Sequence, residues 1–357
     1  MKQYMTASVL SGIIGLIGFS APVSAELSTQ VIYTTNLPGT SPNNSGGPWI
    51  KADGNTVAWT NDSFLFFWDG QTTHRIRNYG PSIQEFSVSN GQVAWVGKAS
   101  FSESNFSIFF WDGTYDVQNQ PYIQRISYLN APGGTTSGLA WGISLEHGQI
   151  AWNSSDGNDW EIYLWDGTYS NGQPSITQIS DNNDYDMAPS LSDGQIAWRG
   201  GPSGFEQYVR YWDGSAVHEL SGERVSKDFH SVSTSNGGIA WRDVFGSRIQ
   251  YWDGTFSGGN PNIVTAVQGY IGNPSLHNGK ISYIRRDSSR PVTEDEALFY
   301  WNGADTLQLS EWFDSISYSM GLTDGPQTTS DGVFYVGVNA SSNLREIRFV
   351  TSTGLCL

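Results

Sequence analysis

The chain has 357 residues, with 34 acidic and 18 basic side chains and a formal net charge of −16 at pH 7. A surface of that sign repels phosphate backbones and anionic lipid headgroups, which excludes nucleic acid and membrane surfaces as partners. Acidic polysaccharides are disfavoured for the same reason, whereas neutral sugars, cations and basic proteins are compatible with the charge.

The first 25 residues have the pattern of a secretory signal peptide. Lys2 gives a basic start, residues 9–19 form an apolar stretch, and Val23-Ser24-Ala25 is a small-residue cleavage site. The apolar stretch is too short for a membrane span. We therefore predict that residues 1–25 are removed and that residues 26–357 form one domain, secreted or periplasmic and without membrane insertion. Loss of Lys2 leaves a net charge of 17 − 34 = −17.

One pattern recurs seven times: a turn glycine, a strand ending in an aromatic residue, and a second strand ending in Trp-Asp-Gly. The aromatic residues are Trp59, Trp95, Trp152, Trp198, Trp241, Tyr283 and Tyr335. The second halves end at Gly70, Gly113, Gly167, Gly214, Gly254, Gly303 and, in a decayed copy, Gly354. The mean period is (335 − 59)/6 = 46 residues, and four-stranded propeller blades repeat every ~40 to 50 residues.

The segments between these signals predict short strands and tight turns, since apolar residues alternate with polar ones and Gly, Asn and Asp separate them. We therefore predict an all-β fold, a seven-bladed β-propeller of four-stranded antiparallel blades. In the fourth blade the strands are predicted at 189–192, 195–199, 207–212 and 217–220. The near-copy at 138–141 has no Trp-Asp-Gly of its own before Trp152, which indicates a loop insertion and not an eighth blade.

The ring is predicted to close through the N-terminal strand. The seventh copy ends after its third strand, while residues 29–33 form an orphan strand that resembles the outer strands at 123–127 and 176–180. We predict that this segment is the outer strand of the last blade, which removes an exposed sheet edge.

The alternation of PSLSDGQIAW with EIYLWDGT and ITQIS resembles the TolB-like propeller repeats of bacterial exported proteins, and its Trp-Asp-Gly is similar to WD repeats. The resemblance covers nearly the whole chain after the signal peptide and implies a propeller in an exported protein. It does not imply one activity, because the family includes non-catalytic scaffolds, peptidase-associated propellers and some polysaccharide lyases.

The repeated tryptophans suggest sugar stacking, but residues that recur at the same position of every repeat usually pack one blade against the next. We therefore predict a structural role for Trp68, Trp111, Trp165, Trp212, Trp252 and Trp301, each directly before a tight turn. The aspartate of each Trp-Asp-Gly is predicted to be a turn carboxylate.

Function is expected on the face where the repeats differ, which carries the loops between second and third strands and the connections between blades. There, Asp156, Asn158 and Asp159 precede Asp181, Asp184 and Asp186 of the next connection. Calcium needs six to eight oxygen ligands, so Asp156, Asn158 and Asp159 are candidate calcium ligands, although solvated turn residues are the favoured interpretation of the pattern. Asp184, Asp186 and Tyr270 are candidate ligand-binding residues.

A catalytic group is harder to identify. Asp228, His230, Arg242 and Arg285, with Tyr270, could supply a base, a charge neutraliser and an acid for a polysaccharide lyase, but the required geometry cannot be read from spacing. The lone Cys356 near the C-terminus cannot form an internal disulfide and is interpreted as incidental.

Two functions follow from the sequence. The first is an exported non-catalytic propeller, a monomer without a cofactor other than calcium, that binds a protein or glycan through its loop-rich face. The alternative is a carbohydrate-active enzyme, a lyase or hydrolase, with its site in the central funnel.

Overall fold

The computed structural model describes residues 27–34, 50–61, 64–77, 83–100, 102–103, 106–127, 142–222, 224–225, 231–243, 247–269, 271–291, 295–310, 326–339 and 344–352. These residues form seven four-stranded antiparallel sheets, which we number as blades in chain order. No helix in these ranges is long and apolar enough to cross a membrane. The predicted signal peptide and the near-copy at 138–141 lie outside the described residues.

The N-terminal strand is β1 (Leu27–Thr34). Blade 1 contains β2 (Ile50–Asp53), β3 (Thr56–Asn61), β4 (Phe64–Trp68) and β5 (Thr73–Arg77). Blade 2 contains β6 (Glu85–Ser89), β7 (Gln92–Gly97), β8 (Ser107–Tyr115) and β9 (Pro121–Arg125). Blade 3 contains β10 (Ile143–Glu146), β11 (Gln149–Ser155), β12 (Trp160–Ser170) and β13 (Gln173–Gln178). Blade 4 contains β14 (Met187–Ser192), β15 (Gln195–Ser203), β16 (Glu206–Trp212) and β17 (Val217–Glu219).

Blade 5 contains β18 (Val232–Ser235), β19 (Gly238–Arg242), β20 (Arg248–Ser257) and β21 (Asn260–Gln268). Blade 6 contains β22 (Ser275–His277), β23 (Lys280–Arg286), β24 (Glu296–Trp301) and β25 (Thr306–Gln308). Blade 7 contains β26 (Gln327–Thr328), β27 (Val333–Asn339) and β28 (Leu344–Ser352), with β1 as its fourth strand. The predicted seven-bladed, all-β architecture is therefore confirmed.

Closure by the N-terminal strand agrees with the strand order of blade 7. β1 pairs antiparallel with β28, from Leu27 opposite Ser352 to Thr34 opposite Glu346. Ile32 packs against the apolar cluster between blades 7 and 1, which contains the buried Trp59 and Phe334. The first strand of the chain is thus hydrogen-bonded to the last, and the outer edge of β28 is covered.

The hairpins between first and second strands follow directly from the sequence. In blade 4, Asp193 and Gly194 have φ of +51° and +71°, and positive φ at both central residues is the mark of a type I′ turn. Asn90-Gly91, His147-Gly148, Asn236-Gly237 and Asn278-Gly279 repeat the geometry. These turns lie on one face of the ring, and the loops between second and third strands lie on the opposite face.

The Trp-Asp-Gly segments of blades 1 and 4 and the corresponding Trp301-Asn302-Gly303 of blade 6 end the third strand, as predicted. In blades 2, 3 and 5 the prediction is wrong, because the strand continues beyond the tripeptide after a register shift. Gly167, with φ of +84°, gives the backbone the freedom for such a bulge in blade 3. There the hairpin turn comes later, at Asn171-Gly172.

The aspartate of these segments is a turn carboxylate, as predicted. Asp166 Oδ1 accepts hydrogen bonds from Thr168 N at 2.8 Å and Thr168 Oγ1 at 2.7 Å, and Trp165 Nε1 donates to Thr168 O at 2.8 Å. The same pattern holds Trp111 to Thr114 and Trp252 to Thr255.

The apolar core lies between neighbouring blades. One cluster joins Phe110 and Ile108 of blade 2 to Trp152 and Trp165 of blade 3, and the rings of Phe110 and Trp165 meet edge to face at 5.4 Å. Tyr211 of blade 4 and Trp252 of blade 5 pair in the same way at 5.2 Å. The tryptophans therefore pack blade on blade, which confirms their predicted structural role.

The innermost strands form the wall of a central channel of about 430 Å³. Each such strand is a sheet edge whose amides need partners, and in blades 3 to 7 a serine of the preceding blade supplies one. The backbone N–H groups of Leu145, Leu191, Thr234, Leu276 and Thr328 donate to the Oγ atoms of Ser87, Ser144, Ser190, Ser233 and Ser275 at 2.8–3.0 Å. We call these five serines the serine belt, because their hydroxyls link each of blades 2 to 6 to the blade that follows it.

Replacement of one belt serine tests this role. Ser87→Ala leaves the buried Leu145 N–H without its acceptor, so we expect the free energy of unfolding in urea to fall by about 1 to 2 kcal/mol. Ser87→Thr, which keeps the hydroxyl, is the rescue variant. Ser215→Ala, which removes an exposed hydroxyl, is the control and should change the free energy by less than ~0.5 kcal/mol. Equal losses for the two alanine variants would contradict the belt.

Candidate binding site

On the loop-rich face, three described segments of blades 3 and 4 meet. They are the turn between β11 and β12 (residues 156–159), the connection from blade 3 to blade 4 (residues 179–186), and the hairpin between β15 and β16 (residues 201–206). We call them together the blade 3–4 cluster. The hairpin was predicted as a loop, but the strands continue into it, with Ser203 opposite Glu206 after a register shift.

The turn at 156–159 is built by its own first side chain. Asp156 Oδ1 accepts hydrogen bonds from Asn158 N at 2.8 Å and Asp159 N at 3.2 Å, and Asp156 N donates to Asp159 O at 3.3 Å. Gly157, with φ of +105°, allows the backbone to reverse. Asn158 Nδ2 donates to Asn183 Oδ1 at 3.3 Å, so the turn contacts the connection to blade 4.

Glu161 lies directly beneath this turn and is fully buried. Asn182 N donates to its Oε1 at 2.8 Å, and Ser180 Oγ donates to its Oε2. Burial, together with the charges of Asp186 and Asp159, raises the pKa of Glu161 to about 7 against the lowering effect of the two hydrogen bonds. A buried carboxyl is therefore fixed against the connection between the two blades.

Asp159 brings a further carboxyl to the same place. Oxygens of Asp156, Asp159 and Glu161 all lie within 4.8 Å of one another. Asp159 is only 8% exposed, and its Oδ1 has no hydrogen-bond partner. Burial and the charges of Asp156, Asp186 and Asp184 raise the pKa of Asp159, although a contact with Glu161 lowers it.

Asp186 is fully buried and holds the connection to blade 4. Its Oδ1 accepts hydrogen bonds from Trp198 Nε1 at 2.8 Å and from an Arg210 Nη1 at 2.9 Å, while its Oδ2 accepts one from Asn182 Nδ2 at 2.7 Å. Gly200 leaves space for this arrangement, since a Cβ there would overlap Asp186 Oδ1. The carboxylate thus joins both central strands of blade 4 to the segment that precedes them.

Arg210 pairs with two carboxylates at once. Its Nη1 contacts Asp186 and its Nη2 contacts Asp184. Asp184 lies nearer the surface, with its backbone N donating to Asn182 Oδ1 at 2.6 Å. The structure therefore brings together the predicted residues Asp156, Asn158, Asp159, Asp184 and Asp186. Among the described residues, Arg210 is the cation that pairs with Asp184 and Asp186.

Two aromatic side chains beside these carboxylates face solvent. Phe205 at the tip of the blade 4 hairpin is 74% exposed, and Tyr185 is 41% exposed. Tyr185 N donates to Gly201 O at 2.8 Å, and Gln207 Nε2 donates to Tyr185 O at 3.4 Å. Gln207 is itself buried against Arg199, whose Nη1 donates to its Oε1 at 2.8 Å. A buried polar network thus holds the backbone of Tyr185 in place.

The other predicted site residues belong to blades 5 and 6. Arg242 is buried, and its Nη1 donates to Ile271 O at 3.1 Å. Arg285 pairs with Ile271 through a β-bridge, and its guanidinium lies over the Phe299 ring at 5.7 Å. Both arginines therefore contribute to the packing between these blades. Asp228, His230, Tyr270 and Cys356 lie outside the described residues.

Sequence reasoning overlooked Glu161, Arg210 and Phe205. A signal was available for Glu161, because a polar residue two positions after Asp159 in a half-buried strand lies on the same face of that strand. Arg210 and Phe205 carried no signal of this kind, since their relation to residues 156–186 exists only in the packing of blade 4 against blade 3.

Comparison with solved structures identifies the fold. The β-propeller domain of the trilobed protease from Pyrococcus furiosus has a TM-score of 0.51 at 16% identity, covering 75% of this chain and 84% of that one. A puromycin-hydrolysing peptidase from Mycobacterium tuberculosis has a TM-score of 0.52 at 12% identity over 79% of this chain, which spans only 48% of the peptidase. TolB from Acinetobacter baumannii has a TM-score of 0.43 at 15% identity, covering 72% of this chain and 61% of that one.

Neither a protein-family model nor a curated protein sequence matches this chain. The identities to the solved structures are low, so the likeness shows a β-propeller and does not transfer the activity of any of these proteins. The function must be argued from the blade 3–4 cluster itself.

Proposed function

We propose that this protein is an exported, non-catalytic propeller that binds a neutral glycan through the blade 3–4 cluster. The observation that supports the proposal is the pair of exposed aromatic side chains, Phe205 and Tyr185, on two adjoining segments of the cluster that also carries the carboxylates of Asp156 and Asp184. The signal-peptide pattern of residues 1–25 supports export, and we expect the protein to be a monomer.

The chemistry of these groups suits sugars. Aromatic faces offer flat apolar area at low entropic cost, and a pyranose presents a matching face of C–H groups. Carboxylates beside them accept hydrogen bonds from sugar hydroxyls and fix the orientation of the ring. A neutral sugar also avoids the repulsion that the charge of −16 imposes on acidic polymers.

Burial argues against catalysis by the most perturbed group of this cluster. Glu161 has a pKa near neutrality, as a general acid would require, yet it is 0% exposed and hydrogen-bonded to Ser180 and Asn182. A general acid must reach the proton that it transfers. The enzyme alternative therefore has no support from the described residues of this cluster.

Removal of the two aromatic side chains tests the proposal. The test glycans are those that bind the unmodified protein on a glycan array. For these glycans we expect the double variant Phe205→Ser/Tyr185→Ala to lose at least about tenfold in affinity, since each stacking contact contributes ~1 kcal/mol. The affinity is measured by titration calorimetry, and the absence of released reducing or unsaturated sugar is checked in the same samples.

The matched control is Phe256→Ser. Phe256 is 52% exposed but lies beyond Trp252 near the end of β20, on the opposite face of the ring, so its loss should leave affinity unchanged. Product release from a polysaccharide would replace the proposal with the enzyme alternative. If no glycan on the array binds, and a basic protein binds the unmodified protein but not a Phe205 variant, the partner is a protein and not a glycan.

A further inference from the structure

Three carboxyl groups converge beneath the turn at 156–159 with no cation beside them. Oxygens of Asp156, Asp159 and Glu161 lie within 4.8 Å of one another, and none of these residues forms an ion pair with a lysine, arginine or histidine of the described ranges. The guanidinium of Arg210 is paired with Asp184 and Asp186 instead. Like charges this close are unfavourable without a positive charge between them.

The local hydrogen bonds leave oxygen atoms available. Asp156 uses Oδ1 for the two turn amides, so its Oδ2 remains for another partner. Asp159 Oδ1 is buried and has no hydrogen bond. Glu161 accepts one hydrogen bond on each oxygen, and a carboxylate oxygen has a second lone pair for a metal ion.

A separate observation comes from the neighbouring strand. Ser154 is 0% exposed, and its Oγ has no hydrogen-bond partner among the residues that the structure describes. It stands directly opposite Glu161 in the pairing of β11 with β12, and residues directly opposite in an antiparallel pair point to the same side of the sheet. An unpartnered buried hydroxyl is costly, so this oxygen also indicates a missing partner at the position of the carboxyl group.

We infer that Asp156, Asp159 and Glu161 bind one calcium ion, with Ser154 Oγ on the same side of the hairpin. All the donors are oxygens, which hard cations prefer. Two ligands of one calcium ion are at most about 4.6 to 5.2 Å apart, twice the metal–oxygen distance, and oxygens within 4.8 Å of one another meet that limit. Calcium also accepts several carboxylates in a flexible geometry, whereas magnesium demands a near-ideal octahedron. Water molecules at the open side of Asp156, which is exposed, would complete the six to eight ligands.

The inference adds Glu161 to the ligands expected from the sequence. A calcium ion binds an amide through its oxygen, so the hydrogen bond from Asn158 Nδ2 to Asn183 is compatible with Asn158 as a further ligand. Because Glu161 also binds Asn182 N, an ion here would fasten the turn of blade 3 to the connection that carries Asp184 and Tyr185. The inference goes beyond the proposed function and does not depend on it, since the ion can be measured without any glycan.

The test uses residues 26–357 stripped of metal with a chelator, with calcium chloride as the probe. Titration calorimetry should show one site with a dissociation constant of about 1 mM or tighter, and the melting temperature should rise with calcium. Asp159→Asn should melt higher than the unmodified protein in chelator, because repulsion is relieved, yet show at least about a tenfold loss of calcium affinity. This opposite response separates a ligand from a residue that only stabilises the fold.

Asp156→Asn, at an exposed position, is the second variant if Asp159→Asn does not fold, and it should also weaken calcium binding. The matched control is Asp287→Asn: Asp287 lies in the corresponding turn of blade 6 and its Oδ1 accepts Ser289 N at 3.0 Å, so calcium affinity should be unchanged. No saturable calcium binding below ~10 mM, equal binding by the Asp159→Asn variant, or tighter binding of magnesium would each overturn the inference.

Discussion

Removal of β1 is expected to open the ring and to lower the free energy of unfolding by about 5 kcal/mol, since about seven backbone pairs with β28 are lost and each hydrogen bond contributes ~0.5 to 1.5 kcal/mol. That loss is comparable with the whole stability of many domains, about 5 to 15 kcal/mol. The chain starting at residue 37 is the variant, and denaturant unfolding is the measurement. The exposed edge of β28 should also cause aggregation.

The control for this deletion is the chain starting at Glu26, which lacks only the predicted signal peptide. A synthetic peptide of residues 26–36, added to the shortened chain, should restore the melting temperature by re-pairing with β28, because an open sheet edge accepts an added strand. An unchanged melting temperature without the peptide would show that the pairing of Leu27–Thr34 with Leu344–Ser352 does not hold the ring closed.

Replacement of Asp186 is expected to cause the largest loss from a single side chain in the blade 3–4 cluster. In Asp186→Ala, Trp198 Nε1 and Arg210 lose a buried acceptor, and removal of one partner of a buried ion pair costs ~3 to 5 kcal/mol. The measurement is equilibrium unfolding in urea. Asp186→Asn, which keeps an acceptor oxygen for Trp198, should lose less than Asp186→Ala.

Asp184→Ala is the matched control, because Asp184 pairs with the same guanidinium but its side chain is 26% exposed. Solvent-exposed ion pairs contribute ~0 to 1 kcal/mol, so its loss should be small. Arg210→Met added to Asp186→Ala removes the guanidinium that has lost its buried partner and retains only the partly exposed Asp184, and should recover part of the stability. Equal losses for Asp184→Ala and Asp186→Ala would contradict the structural role assigned to Asp186.

The serines of the serine belt recur visibly in the sequence, but the backbone amides that they contact cannot be read from it. PSLS in blade 4 was predicted as an innermost strand, and β14 covers it. What Ser190 contacts, namely the amide of Thr234 at 2.9 Å, depends on a residue 44 positions later. The repeat period predicts that such a contact recurs from blade to blade. The contact itself forms only when two blades pack side by side, which is a property of the tertiary structure.

The fold of this protein was largely determined by local signals in the sequence. Each repeat carries its own alternation and its Asn-Gly, Asp-Gly or His-Gly turn, and the first six also carry an interblade tryptophan. The missing fourth strand of the last repeat is matched by the orphan strand at the start. Such signals act over a few residues, which is why seven blades and their closure could be predicted. The continuation of strands past Trp-Asp-Gly in blades 2, 3 and 5 was missed, since a bulge and a turn use the same residues.

The site was decided by tertiary structure. The acidic residues between 156 and 186 are apparent in the sequence, but Glu161 becomes a member by burial, Arg210 by reaching across blade 4, and Phe205 by the extension of β15 into a hairpin. None of these relations is periodic, because they depend on the packing angle of one blade on the next and on the side chains that fill that single interface. The sequence thus determines the seven-bladed ring and the order of its strands, whereas the packing of blade 3 against blade 4 determines which charged side chains contact one another.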